Sequence, residues 1–185
     1  MPNRIIWSFI EKQEGSAILN AYVPQKHGVA IGNSGTTVGS GYDIGNHNLE
    51  ELQSLGLSDE LVSKLSPYLV LTKDDAINFL RDNPLTISQD ECDELSTAEE
   101  SQEYDNMERI YDKCSEVPFG DLTSTQQTII ISVSYQYGNL PHACPHFWSM
   151  VIVQEWQSVI DILRHFGDSY ANRRNAEADL LESSL

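Results

Sequence analysis

Apolar residues near the start of the chain recur with the spacing of a helix. Ile6, Trp7 and Ile10 place apolar side chains on one face of residues 4–14, and glycine at position 15 is a residue type that commonly ends helices. The pattern predicts a first helix over residues 4–14, with Glu14 at its C-terminal end.

Residues 28–45 form a short segment that is rich in β-branched residues and in glycine. Segments of this kind, punctuated by glycine and small polar residues, are typical of strands and turns. We predict two strands here, joined by a turn at the sequence Asn33-Ser34-Gly35.

Helical periodicity returns after this segment. Apolar positions predict one short helix around Leu49–Leu55, a second capped by Ser58, and a third that opens with a capping arrangement at Thr72. Polar residues from Thr86 to Glu108 then interrupt the pattern, and we predict a loop with weak helix there.

The C-terminal half is predicted to contain the central helix of the core. The segment from Leu122 to Gly138 carries apolar residues at Ile129, Ile130, Val133 and Tyr137, which predicts a central core helix buried on most sides. Further helices are predicted to begin at Pro145, Trp156 and Ala171. Together these elements predict an α+β fold, mostly α, and a single domain over residues 1–185. A hairpin lobe covers about 15–70, and a helical lobe covers 1–14 and 71–185 with an acidic insertion at about 86–112.

The net charge of the chain limits the classes of molecule that it is expected to bind. The formal net charge is −17, which argues against nucleic acid, because a binder must offset phosphate charge with Lys and Arg. Ten acidic residues lie between Asp90 and Asp112, where Arg109 is the only base. Two interpretations of this segment stay open: a solvated acidic surface, or a docking surface for a basic partner.

Targeting signals are not evident in the sequence. No segment approaches the roughly 18 consecutive apolar residues of a membrane-spanning helix, and the N-terminus has no long apolar core followed by a small-residue cleavage site. We expect a protein that does not insert into membranes, that is made in the cytoplasm, and that reaches its site of action by secretion or lysis.

The cysteines and histidines do not form a clear metal site. Cys92, Cys114 and Cys144 are an odd set and too sparse for a disulfide scaffold, although a Cys92–Cys114 bridge stays open. His142 and His146 lie on either side of Cys144, and imidazole and thiolate groups are common zinc ligands. However, no fourth ligand is near in the sequence, and prolines interrupt the spacing. We interpret this segment as a loop between helices and expect no metal.

Two carboxyl groups have the chemistry that glycosidic cleavage requires. One carboxylic acid must protonate the leaving oxygen, and a second carboxylate must activate water or stabilise positive charge on the sugar. The negative end of a helix dipole disfavours an ionised carboxylate, so Glu14 is the candidate acid. Asp43 is the nearest carboxylate in the hairpin segment.

Four ordered motifs resemble the phage-type lysozyme superfamily, most closely its pesticin-like toxin branch. In that family a glutamate ends the first helix and a Thr-[Ile/Val]-Gly-x-Gly segment follows, similar to Glu14-Gly15 and to Thr37–Gly45 here. The other motifs resemble the family's helix start after the hairpin, its buried central helix and its C-terminal Asn-Arg-Arg-x-x-Glu helix; they are Leu71–Ala76, Leu122–Gly138 and Asn172–Glu177.

The resemblance implies a lysozyme-like fold and a catalytic set. Glu14 would be the general acid, Asp43 the carboxylate that polarises the attacking water, and Thr37 the hydroxyl that helps to hold that water. The aspartate follows the threonine, as in the pesticin-like branch, whereas in ordinary phage lysozymes it precedes it. Because neighbouring strand residues point to opposite faces, Thr37 is preferred to Thr36.

The resemblance also implies a substrate and a setting. The expected reaction is hydrolysis of the β-1,4 bond between N-acetylmuramic acid and N-acetylglucosamine in peptidoglycan, by a monomer without cofactor. The chain would be an antibacterial toxin or effector domain with a cognate inhibitor, or an endolysin. Two alternatives stay open: a lytic transglycosylase, and a wall-binding module without turnover.

Further residues are assigned to substrate or to structure. Gln136 and Tyr135, in the aromatic-amide motif of the central helix, are expected to contact sugar, as are Gly41 and Tyr42 of the hairpin. A structural ion-pair network on the last helix is expected for three residues: Arg173, Arg174 and Glu177.

Overall fold

The computed structural model describes residues 5–15 and 17–185, which form two compact units. One unit contains the described residues up to Gln13 together with Glu103–Leu185, and the other is Glu14–Gln102. Each unit has its own apolar core. We call them the helical unit and the hairpin unit.

The helical unit is built around one buried helix. Its helices, together with the helix α5 that continues into it, are α1 (Trp7–Glu14), α5 (Gln89–Tyr111), α6 (Ser124–Tyr137), α7 (Leu140–Ala143), α8 (Pro145–Ile152), α9 (Trp156–Arg164) and α10 (Ala171–Glu182). Ten of the 14 residues of α6 are buried. The predicted central helix is therefore confirmed.

Local sequence sets both ends of α6. The Thr123 hydroxyl accepts a hydrogen bond from the Gln126 backbone N–H at 3.2 Å, and the Gln126 side chain accepts one from the Thr123 N–H at 2.9 Å, which is a capping box. Gly138 follows the helix with φ +66°, a conformation that favours glycine. These caps fix the length of the apolar segment that enters the core.

The hairpin unit contains two small antiparallel sheets. Strands β1 (Ile18–Tyr22), β4 (Thr37–Gly39) and β5 (Tyr42–Asp43) form one sheet in the order β1-β4-β5. Strands β2 (Gln25–Lys26) and β3 (Val29–Ala30) form the other. With the helices, this gives the α+β, mostly α class that the sequence predicts.

The predicted position of the hairpin turn is wrong. Strand β3 pairs with β2 across His27 and Gly28, and β4 pairs with β5 across Ser40 and Gly41, so the Asn33–Gly35 segment joins strands that are not paired with each other. His27 and Gly28 both have positive φ, as tight hairpin turns require.

Three helices follow the hairpin in the same unit, at α2 (Leu49–Ser54), α3 (Asp59–Leu65) and α4 (Lys73–Asp82). Their apolar faces contribute Leu52, Leu61 and Leu65 to a core that also contains Val38 and Ile44 of the strand region. Thr72 precedes α4 as predicted, but its hydroxyl makes no capping hydrogen bond.

The predicted loop over Thr86–Glu108 is wrong: most of this segment lies in the 23-residue helix α5. Ser88 and Glu91 cap it reciprocally, because the Ser88 hydroxyl accepts from the Glu91 N–H and the Glu91 carboxylate accepts from the Ser88 N–H. One face supplies buried side chains at Cys92, Leu95, Met107 and Tyr111. The acidic residues between them therefore belong to a helix.

All three cysteines are free thiols, so the Cys92–Cys114 bridge is not formed. Cys144 is buried between α7 and α8, and burial raises the pKa of its thiol. Within residues 5–15 and 17–185, no cluster of His, Cys, Asp and Glu is arranged to hold a metal ion, and no helix is long and apolar enough to cross a bilayer.

Candidate active site

Glu14 is the last residue of α1, as the sequence predicts, and its side chain is exposed. Gly15 follows with φ +92°. Strand β1 begins four positions after Glu14, at Ile18, which pairs with Gly39 of β4. Glu14 is therefore connected directly to the sheet that carries the other two candidate catalytic residues.

Thr37 and Asp43 are brought together by strand pairing. They are direct partners in the antiparallel β4–β5 register, which places their side chains on the same face. The Thr37 hydroxyl donates to the Gly35 carbonyl at 3.2 Å, and both Asp43 carboxylate oxygens accept from the Gly35 N–H at 3.1 Å. Both candidate side chains thus converge on one peptide segment.

The neighbouring Thr36 has a different environment. It is fully buried, and its hydroxyl has no hydrogen-bond partner among the described residues, whereas its carbonyl accepts from the Ile44 N–H at 2.8 Å. The Thr37 hydroxyl is the one engaged beside Asp43. The choice of Thr37 over Thr36 stays a prediction, and the register is consistent with it.

Sequence reasoning missed two residues that hold Asp43. Gly35 supplies the N–H described above, and the Asn46 amide donates to the Asp43 carboxylate at 2.7 Å. Asn46 lies three residues after Asp43, a spacing at which an amide and a carboxylate commonly meet in a turn. That spacing was the only signal available in the sequence.

A close backbone approach requires glycine at two positions beside Asp43. A Cβ atom at Gly45 would overlap the Leu71 carbonyl oxygen and lie 2.6 Å from the Gly35 Cα, and one at Gly35 would lie 2.7 Å from the Asp43 carboxylate. The glycine at 45 therefore packs against its own chain.

We expect Gly45→Ala to destabilise the protein, because the added methyl group meets backbone atoms that cannot rotate away. Overpacking of this kind costs about 1–3 kcal/mol. Gly120→Ala is the matched control, since its nearest contacts would be side-chain atoms at 3.6 and 3.9 Å. Urea denaturation of both variants measures the difference; equal midpoints for the two would contradict the close approach.

The chain matches one protein family over most of its length. The family described as Pesticin, "Bacterial toxin homologue of phage lysozyme, C-term", matches residues 4–157. The chain belongs to the pesticin family. A comparison with curated proteins finds no match. Membership confirms the predicted resemblance and a lysozyme-type toxin domain that acts on peptidoglycan.

Two segments singled out in the sequence, Gly41–Tyr42 and Asn172–Glu177, make contacts within the protein. Tyr42 is buried and stacks on His47 with ring centroids 4.8 Å apart, and Gly41 forms the exposed turn with φ +116°. The Asn172–Glu177 motif lies on α10, beyond the matched range. Arg173 and Arg174 both pair with the buried Glu177 there, so the predicted ion-pair network is confirmed.

Tyr135 and Gln136 lie at the end of α6 in the helical unit. Tyr135 is 40% exposed and makes an edge contact with Trp7, at a centroid distance of 6.2 Å. The Gln136 carbonyl oxygen accepts a hydrogen bond from Arg174. Their predicted contact with sugar stays a prediction.

Helix α5 carries a carboxyl group with an unusual proton affinity. Burial, followed by repulsion from Glu100, raises the pKa of Glu99 to about 7. The folded protein therefore binds this proton more tightly than the unfolded chain does, where the ordinary pKa is 4.5. By linkage, the free energy of unfolding falls as pH rises from about 4.5 to about 7, and it stays lower above that range.

We expect Glu99→Gln to raise the free energy of unfolding at pH 8, on the order of 2 kcal/mol, and to leave it unchanged at pH 4. The neutral amide cannot ionise, so the pH-dependent penalty disappears. Glu50→Gln, at an exposed position of α2, serves as the control and should have little effect at either pH. Denaturation midpoints across pH 4–8 test this; identical curves for wild type and Glu99→Gln would exclude the effect.

Proposed function

We propose that this domain is a muramidase, which hydrolyses the β-1,4 bond between N-acetylmuramic acid and N-acetylglucosamine in peptidoglycan. The observation that carries the proposal is the convergence of Thr37 and Asp43 on Gly35, in a sheet whose first strand follows Glu14. Family membership adds the lysozyme relationship.

In this proposal Glu14 is the general acid. It ends α1, where its carboxyl group can give a proton to the leaving oxygen. The exposed side chain can meet a polymeric substrate, which cannot enter a closed cavity. The proton then passes to the oxygen of the departing sugar.

Asp43 and Thr37 act on the water. The Gly35 N–H and the Asn46 amide hold the Asp43 carboxylate in place, and a carboxylate has about four lone-pair positions, so acceptor capacity remains for a water proton. Thr37 lies beside it, with its hydroxyl proton directed to Gly35 and its oxygen able to accept. Water activated in this way attacks the anomeric carbon.

Substrate contact at the end of α6 is a further part of the proposal. Because Arg174 occupies the Gln136 carbonyl oxygen, we assign the Gln136 amide nitrogen to a sugar N-acetyl carbonyl, and the exposed Tyr135 ring to a saccharide face. In the hairpin unit, the exposed Gly41 is also assigned to glycan contact, whereas the buried Tyr42 is not. The toxin description of the family favours an antibacterial effector with a cognate inhibitor in the producing cell.

Digestion of purified peptidoglycan, with mass spectrometry of the released muropeptides, tests the proposed function. The expected products end in reducing N-acetylmuramic acid. Anhydro-muramic ends would identify a lytic transglycosylase, and reducing N-acetylglucosamine would place the cut at the other bond. Binding to the wall without any released ends would identify a non-catalytic module, and each of these three results contradicts the proposal.

A further inference from the structure

Two asparagine residues lie beside the Asp43 carboxylate: Asn33 is in the loop that precedes β4, and Asn46 is in the turn that follows β5. The Asn46 Nδ2 atom donates to the Asp43 Oδ2 at 2.7 Å, the shortest of the hydrogen bonds that this carboxylate accepts from described residues. The Gly35 N–H is shared between both carboxylate oxygens at 3.1 Å. Asn46 therefore makes the one directed contact with a single oxygen.

Asn33 fixes the orientation of the Asn46 amide. The Asn46 Nδ2 also donates to the Asn33 carbonyl at 3.0 Å, and the Asn33 Nδ2 donates to the Asn46 Oδ1 at 2.9 Å. Rotating the Asn46 amide by half a turn would direct its oxygen at a carbonyl and a carboxylate, and its nitrogen at another amide nitrogen. Only one orientation satisfies all three contacts.

We propose that Asn46 is a positioning residue for the hydrolytic reaction, and that Asn33 locks it in place. Asn46 would not touch the glycan; it would hold one Asp43 oxygen against rotation, so that the other faces the water. This inference rests on the muramidase proposal above, and it adds residues to which neither the sequence motifs nor the family match gives a role.

The chemistry of the contact favours an amide at position 46. An amide donates to the carboxylate without adding charge, and its carbonyl oxygen accepts from Asn33 at the same time. Aspartate at position 46 would place two carboxylates side by side and remove the donor. Alanine would leave Asp43 with the Gly35 N–H alone among the contacts described.

The experiment measures kcat and KM on solubilised glycan strands for wild type, Asn46→Ala, Asn46→Asp and Asn33→Ala. Asn78→Ala is the matched control, because Asn78 is an exposed asparagine of the same unit that contacts Arg81. The Asn46→Ala change is also made in an Asp43→Ala background. Circular dichroism establishes that each variant is folded, and Asn33→Ala keeps the test valid if Asn46→Ala does not fold.

We expect Asn46→Ala to lower kcat about 10- to 100-fold with little change in KM, since a misplaced catalytic group costs about this much. Asn46→Asp should lose more and Asn33→Ala less. In the Asp43→Ala background, Asn46→Ala should change kcat by no more than about twofold, because the residue acts through Asp43.

Three results would overturn the inference. A kcat for Asn46→Ala and Asn33→Ala equal to that of Asn78→Ala would show that the contact is not needed. An equal loss in the Asp43→Ala background would show a general structural role. Wild-type protein without any glycan cleavage would reject the muramidase proposal itself and this inference with it, whereas cleavage that depends on Asp43 but not on Asn46 rejects the inference alone.

Discussion

Replacement of Glu14 by glutamine is expected to lower the rate of peptidoglycan hydrolysis by about 10²- to 10⁴-fold, the usual contribution of a general acid. Glutamine has nearly the same shape but no proton to give to the leaving oxygen. Because Glu14 is exposed at the end of α1, the fold and its thermal unfolding should change little. Turbidity loss of purified cell wall measures the rate.

Glu11→Gln is the control for this change. Glu11 is exposed on the same helix, one turn before the end, so its replacement removes the same charge from the same element. It should retain nearly wild-type activity. Glu14→Gln with activity close to that of Glu11→Gln would show that another group supplies the proton.

The second large effect is expected from Glu177→Gln, which should lower the free energy of unfolding by about 3–5 kcal/mol. Glu177 is fully buried, accepts hydrogen bonds from Ser132 at 2.6 Å and from Arg174, and pairs with Arg173 at 3.3 Å. Losing the carboxylate removes the buried anion that both guanidinium groups share, and Arg174 keeps its ion pair with Asp168. Guanidinium chloride denaturation measures the change.

Glu182→Gln provides the matched comparison on the same helix. Its carboxylate is 59% exposed and pairs with Arg164 at 2.6 Å, so solvent screens the interaction. Exposed pairs contribute about 0–1 kcal/mol, and the unfolding midpoint should scarcely move. Similar losses for the two variants would mean that burial does not determine the strength of the Glu177 network.

Sequence predicted best where one local pattern determined the structure. The apolar segment from Leu122, with a threonine cap before it and Gly138 after it, gives α6 without reference to the rest of the chain. Helix α5 shows the opposite case. Most of its residues are polar, so no clear helical pattern was visible in the sequence, although the helix has a capping box at Ser88 and buried side chains at Cys92 and Leu95. The box was readable as Ser-x-x-Glu, but the burial depended on the rest of the hairpin unit.

The strand register could not be read from the sequence. Several glycines in residues 28–45 offer turns, and β-branched residues fit either face, so the sequence does not determine which strands pair. The structure selects turns at His27–Gly28 and Ser40–Gly41. The correct pairing is what places Thr37 opposite Asp43.

The candidate catalytic residues could be predicted from their residue type and from the motifs. The residues that hold them in place could not. Glu14 and Asp43 are carboxyl groups at recognisable positions, whereas Gly35 and Asn46 matter only through contacts formed after the loop folds. The pKa of Glu99 likewise depends on burial that composition does not reveal.

Digestion of purified peptidoglycan in water enriched in oxygen-18 tests the central claim most directly. Hydrolysis with water activated at Asp43 predicts one oxygen-18 atom at the anomeric position of each new muramic acid end, trapped by immediate borohydride reduction. Heat-inactivated protein should release no such ends. Ends that form without incorporating the label, or no new ends from the active protein, would contradict the account.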